Sequence, residues 1–378
     1  MAIDLQQVNN LEKMISNKLS WHKKLYEILT EISTISTKEK QFFMQNLKVM
    51  VRSGLPLDKA LKTLSVQTRN RKFKKIIYNL YKDTEKGISL TESLTRNKGV
   101  FNNLIISMIE SGEMSGHLDE VLDQIYLQIK TSNELKGRIK AAMTYPVIVI
   151  IAMIGIGIGM LVFVIPKITT VFDEMDAELP FATRFLINFS NAIVDNGLIT
   201  SISFITFLIL IILFIKSPKG KKILHYILLK LPIFGTIIKK VNLAKFARTL
   251  SSLIKTDIPI VKTFDVTAET MANSYYKNAL LASSKKLKEG VSISESLSDY
   301  PNLFPPVIIQ MISTGEETGK VDEILAELAS FYEDEIDRTM KTLPSIIEPL
   351  LMLILGVGVA FMAIAIIMPM YNLTEQFQ

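Results

Sequence analysis

The chain contains no cysteine, which removes disulfides, thiolate metal ligands and thiol nucleophiles together and leaves the redox compartment unreadable. Histidine is almost as scarce. His22, His117 and His225 are scattered, so neither a metal pair nor a Ser-His-Asp arrangement can be assembled, and no metal, cofactor or catalytic residue is expected. Strand-like alternation of apolar and polar residues is nowhere convincing. The first 35 residues mix charged and apolar positions without the sustained apolar core of a cleavable signal peptide, so targeting is expected to come from a later segment.

Charge is missing from three long stretches. Val147 to Ile165 and Ile199 to Ile215 hold none, and Ile346 to Met368 holds only Glu348 at its entrance. A helix of about 20 apolar residues crosses a hydrocarbon layer of about 30 Å, so three spans are expected. Lys136, Arg138 and Lys140 precede the first span, and Lys216, Lys219, Lys221 and Lys222 follow the second; both flanks read as cytoplasmic. The connection from Pro166 to Leu198 has Lys167 and Arg184 as its only cations among five acids, and the tail after Met370 has no Lys or Arg. A cytoplasmic N-terminus and an external C-terminus follow.

What is present is a repeat at a constant offset of 203 residues. Phe101, Ile109, Gly112, Glu113, Gly116, Asp119 and Leu122 return as Phe304, Ile312, Gly315, Glu316, Gly319, Asp322 and Leu325. Leu47, Pro56, Pro146 and Pro166 return as Leu250, Pro259, Pro349 and Pro369, so the register holds without a gap from module into span. Two copies of one unit, each a module followed by a span, are expected on the same side of the bilayer, with the second span as the return stroke.

Each module reads as helical. Phe42, Phe43, Leu47, Met50 and Val51 recur at helical spacing, and Gly54 then suits a C-terminal turn with Pro56 opening the next helix. Ser89 with Glu92, and Ser292 with Glu295, have capping-box spacing. In the corners "SGEMSGHLDEVL" and "TGEETGKVDEIL", Gly112 and Gly315 are expected to allow a left-handed turn and Gly116 and Gly319 a close backbone approach. Glu113 and Glu316 are less well explained by a simple turn, and a partner contact or an ion pair with Arg or Lys would account for them. The run Arg71, Lys72, Lys74, Lys75 is a solvated face suited to an acidic partner or anionic headgroups; it lacks the aromatic pattern of a nucleic-acid surface. Gly315 to Val321 imitates a phosphate loop but has three residues between its glycines and Val321 where a magnesium-binding Ser or Thr belongs. Pro146 and Pro349 mark entry into the bilayer, and Pro166 and Pro369 are expected to mark where spans end.

The segments "RIKAAMTYPVIV", "FVIPKITTVFDEM", "ELPFATRFL" and "IIEPLLMLILG", with the paired corners, resemble the GspF/PilC family, the inner-membrane platform proteins of type II secretion and type IV pilus machines. The resemblance covers residues 38 to 372. It implies a non-enzymatic scaffold whose partners are a cytoplasmic assembly ATPase, pilin or pseudopilin subunits, other inner-membrane assembly proteins, membrane lipid and further copies of itself. The fold class expected is an all-α membrane protein with two repeated cytoplasmic helical bundles of about six helices each and three transmembrane helices. The expected division is an amphipathic arm over 1–37, bundles over 38–140 and 216–343, spans over 141–166, 199–215 and 344–369, an external loop over 167–198 and an external tail over 370–378. A transporter or a membrane signalling receptor is the alternative reading; a transporter would need polar or broken helices at the midplane.

Overall fold

The computed structural model describes residues 34–173 and 180–376, so most of the expected arm and parts of the loop and tail lie outside the described residues. Among the described residues every regular element is helical. The chain divides into two compact units, one holding residues up to 134 with 245–271 and 276–329, the other holding 135–244, 272–275 and 330 onward.

In the first unit, α1 (Thr37–Arg52), α2 (Leu57–Gln67), α3 (Arg71–Glu85), α4 (Leu90–Thr95), α5 (Asn103–Ser115) and the start of α6 (Leu118–Gly159) form the first module. Its core centres on Phe43, Phe73 and Phe101, whose ring centroids lie 5.4, 6.1 and 6.3 Å apart. The second copy rebuilds this triad at the same offset with Phe246, Tyr276 and Phe304, at 5.1 Å for Phe246–Phe304 and 5.6 Å for Tyr276–Phe304. The extra hydroxyl of Tyr276 donates to the Leu303 carbonyl at 2.9 Å, so the substitution buries no unsatisfied donor.

Ser36 and Glu39 cap α1 reciprocally, with Ser36 N donating to Glu39 at 2.7 Å and Glu39 N to Ser36 Oγ at 3.1 Å. Gly54 takes φ +80° in the turn after α1, and Pro56 stands at the N-cap immediately before α2. In the second copy Asp257 occupies the Gly54 position at φ +55°, a conformation Asp tolerates better than most residues with a side chain.

The corner glycines exchange the roles expected of them. Gly116 and Gly319 take φ +76° and +71° and close α5 and α15 (Pro306–Thr318), whereas Gly112 and Gly315 lie within those helices. A Cβ on Gly112 would sit 2.9 Å from Val121 Cγ2 and 3.2 Å from Leu118 Cα; on Gly315 it would sit 3.2 Å from Val321 Cα. Gly112 and Gly315 therefore admit the close approach. The helix ends where the chain first needs positive φ, one turn later than the "SGE" triplet suggested.

The second unit carries the apolar helices. Among the described residues three helices are long and apolar enough to cross a membrane: the run from Leu118 to Thr170, α9 (Gly197–Lys216), and α16 (Val321–Gln376) over its stretch to Met368. Pro146 lies inside α6 and Pro349 inside α16. Pro166 and Pro369 do not stop their helices. Pro166 is the second residue of α7 (Ile165–Asp173), entered through a π-helical turn at Met160–Val164, and α16 runs on past Pro369. The segment expected as an external loop also contains a helix, α8 (Phe181–Val194).

Candidate functional site

Glu113 and Glu316 each close a helix of their own module. Glu113 accepts from Leu90 N at 2.6 Å, Thr91 N at 2.9 Å and Thr91 Oγ1 at 2.5 Å. Glu316 repeats this with Ile293 N at 2.5 Å, Ser294 N at 3.0 Å and Ser294 Oγ at 2.6 Å. The helices so capped, α4 and α14 (Ile293–Ser298), are short, and a carboxylate on their first amides satisfies orphan donors and opposes the positive end of the dipole. The carboxylate is thus used inside its own module, as a helix cap. It also alters the expected capping box: Ser89 and Ser292 accept from Glu92 N and Glu295 N, but the Glu92 carboxylate turns to Arg96 at 2.8 Å.

The phosphate-loop imitation has no open backbone nest. Gly315 to Thr318 are helical, and Gly319 N and Lys320 N already donate to Glu316 O and Gly315 O. The Lys320 side chain lies outward, 3.2 Å from Glu323.

The basic run opens α3 behind the Asn70 cap, with no acidic residue in that first turn. Cations there oppose the helix dipole at a cost of several tenths of a kcal/mol each, so local helix formation does not ask for them. Arg71, Lys74 and Lys75 are exposed and Lys72 is half-buried, while Phe73 and Ile77 fill the core from the opposite face. At the equivalent helix end of the second copy, α13 (Ser274–Lys288), the matching positions are Ser274, Tyr275, Lys277 and Asn278.

The membrane unit shows what the spacing could not. Proline has no N–H, so Pro369 leaves the carbonyl four residues earlier, Ala365 O, without its helical donor; Thr183 Oγ1 donates to it at 2.6 Å. In the first span the π turn moves the pairing by one residue, with Ile165 N donating to Met160 O. The carbonyl that Pro166 then leaves open is Leu161 O, and Ser190 Oγ donates to it at 2.5 Å. Thr183 and Ser190 are two turns apart on α8, on the face that buries Leu186 and Ile187 against Ile165 and Ala365. One amphipathic helix thus closes the backbone of both repeat-ending spans. In the same unit Asp337 holds Arg138 at 3.2 Å and Lys341 at 2.7 Å, the two cations being repeat equivalents, and Lys240 holds Glu335 at 2.9 Å. Hydrogen bonds from Lys240 and Lys341 keep the Glu335 and Asp337 carboxyls below the ordinary carboxylate range.

The family described as "Type II secretion system (T2SS), protein F" matches twice, over residues 43–166 and 246–369, the offset being 203 at both ends. The chain belongs to this family. It is 33% identical over 336 residues to the type IV pilus assembly protein PilC of Thermus thermophilus, covering 89% of this chain and 82% of the relative. It is 31% identical over 366 residues to PilC of Pseudomonas aeruginosa, covering 96% and 97%. Type II secretion system protein F of Vibrio cholerae is 29% identical over 341 residues, with 90% and 84% covered. Family membership and the doubled module agree, since the family unit is the module with its following span.

Proposed function

We propose that this protein is the inner-membrane platform of a type IV pilus or type II secretion machine, a scaffold that couples a cytoplasmic assembly ATPase to the extraction and polymerisation of pilin or pseudopilin subunits. The observation that carries this reading is the twice-matched family unit, together with relatives named for pilus assembly and for secretion. Both modules face the cytoplasm, as the lysines flanking the spans indicate. The exposed basic run on α3 supplies an electrostatic docking surface for an acidic partner, and its absence from the second copy divides the two modules between different partners. Further copies of the chain and other inner-membrane assembly proteins complete the platform.

Full-length protein in detergent, mixed with the purified assembly ATPase of its own system, should bind with an affinity that falls as salt rises. The K74E/K75E variant should keep its melting temperature and lose most of that binding. Binding equal to wild type by the charge-reversed protein would remove the basic run from the ATPase interface. The platform protein alone should show no ATP hydrolysis above a Lys320→Ala control.

A further inference from the structure

Helix α10 (Pro218–Lys230) begins two residues after span α9 ends, and Ser217 serves both helices: it closes α9 and its hydroxyl accepts from Gly220 N at 3.0 Å to open α10. No linker intervenes, so α10 starts at the height where the span leaves the hydrocarbon. Its 13 residues extend about 20 Å.

The inward face of α10 is fixed by its contacts. His225 Nδ1 accepts from Ser274 N at 3.0 Å, at the start of α13, and Leu224 and Leu228 are half-buried on the same side. The outward face carries Ile223 and Ile227, exposed by 49% and 50%, with Tyr226, 45% exposed, at its edge at the i, i+3, i+4 spacing of one stripe, its ring 6.0 Å from that of Tyr275. At 100° per residue Lys219, Lys222 and Lys230 fall within or beside this stripe, and the Lys230 ammonium lies 4.7 Å over the Tyr226 ring. No Asp or Glu occurs anywhere from residue 196 to 256.

We propose that α10 is an interfacial helix lying on an anionic lipid surface, with Ile223, Tyr226 and Ile227 at the headgroup–acyl boundary and Lys219, Lys222 and Lys230 on lipid phosphates. An apolar stripe flanked only by cations is the composition that such a surface selects, the apolar area supplying burial and each lysine an attraction to negative headgroups. A protein occupant is not favoured, because this helix follows the span after a single residue, Ser217, and the apolar side chains of that span are themselves exposed.

The absence of native cysteine allows a direct test. Ile223→Cys, Ile227→Cys and, as an aqueous reference, Glu289→Cys would each be spin-labelled in the full chain and reconstituted in phosphatidylcholine vesicles with or without phosphatidylglycerol. The labels at 223 and 227 should respond more to oxygen than to a water-soluble nickel chelate, the reverse of 289, and phosphatidylglycerol should deepen this contrast several-fold. Changing Lys219, Lys222 and Lys230 together to Gln should abolish the phosphatidylglycerol effect while leaving the label at 289 unchanged. The proposal is overturned if positions 223 and 227 are as accessible to the chelate as 289, which would point to a face reserved for a protein, or if they are embedded equally with and without anionic lipid.

Discussion

The two copies carry equivalent prolines inside their apolar helices, Pro166 and Pro369, and solve the resulting problem in different registers. In the second copy Pro369 opens an ordinary i−4 carbonyl, Ala365 O, which Thr183 closes; in the first, a π turn shifts the open carbonyl to Leu161 O, which Ser190 closes. Repetition of sequence has therefore kept the chemical problem while the membrane ends have diverged in geometry. The modules behave in the opposite way. Their corners agree hydrogen bond for hydrogen bond, Glu113 with Leu90 and Thr91, Glu316 with Ile293 and Ser294, while their surfaces differ at the start of α3 and α13. The corner chemistry is held in common, and the charged surface is where one copy departs from the other.

The largest effects should come from the shared interior. Glu113→Ala and Glu316→Ala each strand two helix-end amides and a hydroxyl, and each should cost about 3 kcal/mol, read as a lowered thermal midpoint of the full-length protein in detergent. Equal losses would sharpen the equivalence of the corners, and a loss at only one would break it. Gly112→Ala should cost about 2 kcal/mol because its Cβ would clash at 2.9 Å with a branched side chain and press on backbone at 3.2 Å. Gly315→Ala, whose tightest contact is 3.2 Å, should cost less.

A smaller effect of opposite sign is expected in the membrane unit. Ile233, between α10 and α11 (Phe234–Ile254), holds φ +66°, a conformation that a β-branched residue resists. Ile233→Gly should stabilise the protein by about 1 kcal/mol on the same melting assay. Asp257→Gly, at the position where the first copy already has Gly54, should gain less, and so test whether the copies differ in strain there.

The smallest effect is a pH dependence at His225. Burial, and secondarily Lys221, lowers the pKa of His225 below its ordinary 6.5. The neutral ring is the form that accepts from Ser274 N, so the native state binds fewer protons than the unfolded chain. This contribution is complete above pH 6.5 and is lost as pH falls through the lowered value. Melting midpoints recorded below pH 7 should fall less steeply for His225→Gln than for the native chain; parallel curves would remove His225 as the cause.

The repeat, the helical modules and the three apolar helices were legible in the sequence because each is a periodic or compositional signal along the chain. Contacts across long separations were not. Glu113 reaches back to Leu90, which no local spacing rule relates to it, so its role as a cap was hidden behind the nearer capping residue Ser89. The corner glycines take each other's expected roles, since sequence shows that a glycine is wanted and not whether conformation or contact wants it. In sequence Pro166 and Pro369 look like stops because a missing N–H is costly in isolation. Thr183, 182 residues away from Ala365, relieves that cost and lets the helix continue.

The pairing of a helix proline with a hydroxyl on α8 is the claim most open to a decisive measurement, a double-mutant cycle between Pro369 and Thr183 in the full-length protein. Thr183→Ala should cost about 1 kcal/mol in the native chain. In the Pro369→Ala background the restored N–H at 369 supplies Ala365 O from within the helix, and the same Thr183→Ala change should cost close to nothing. An undiminished cost in that background would show that Thr183 acts through packing alone and would contradict the account.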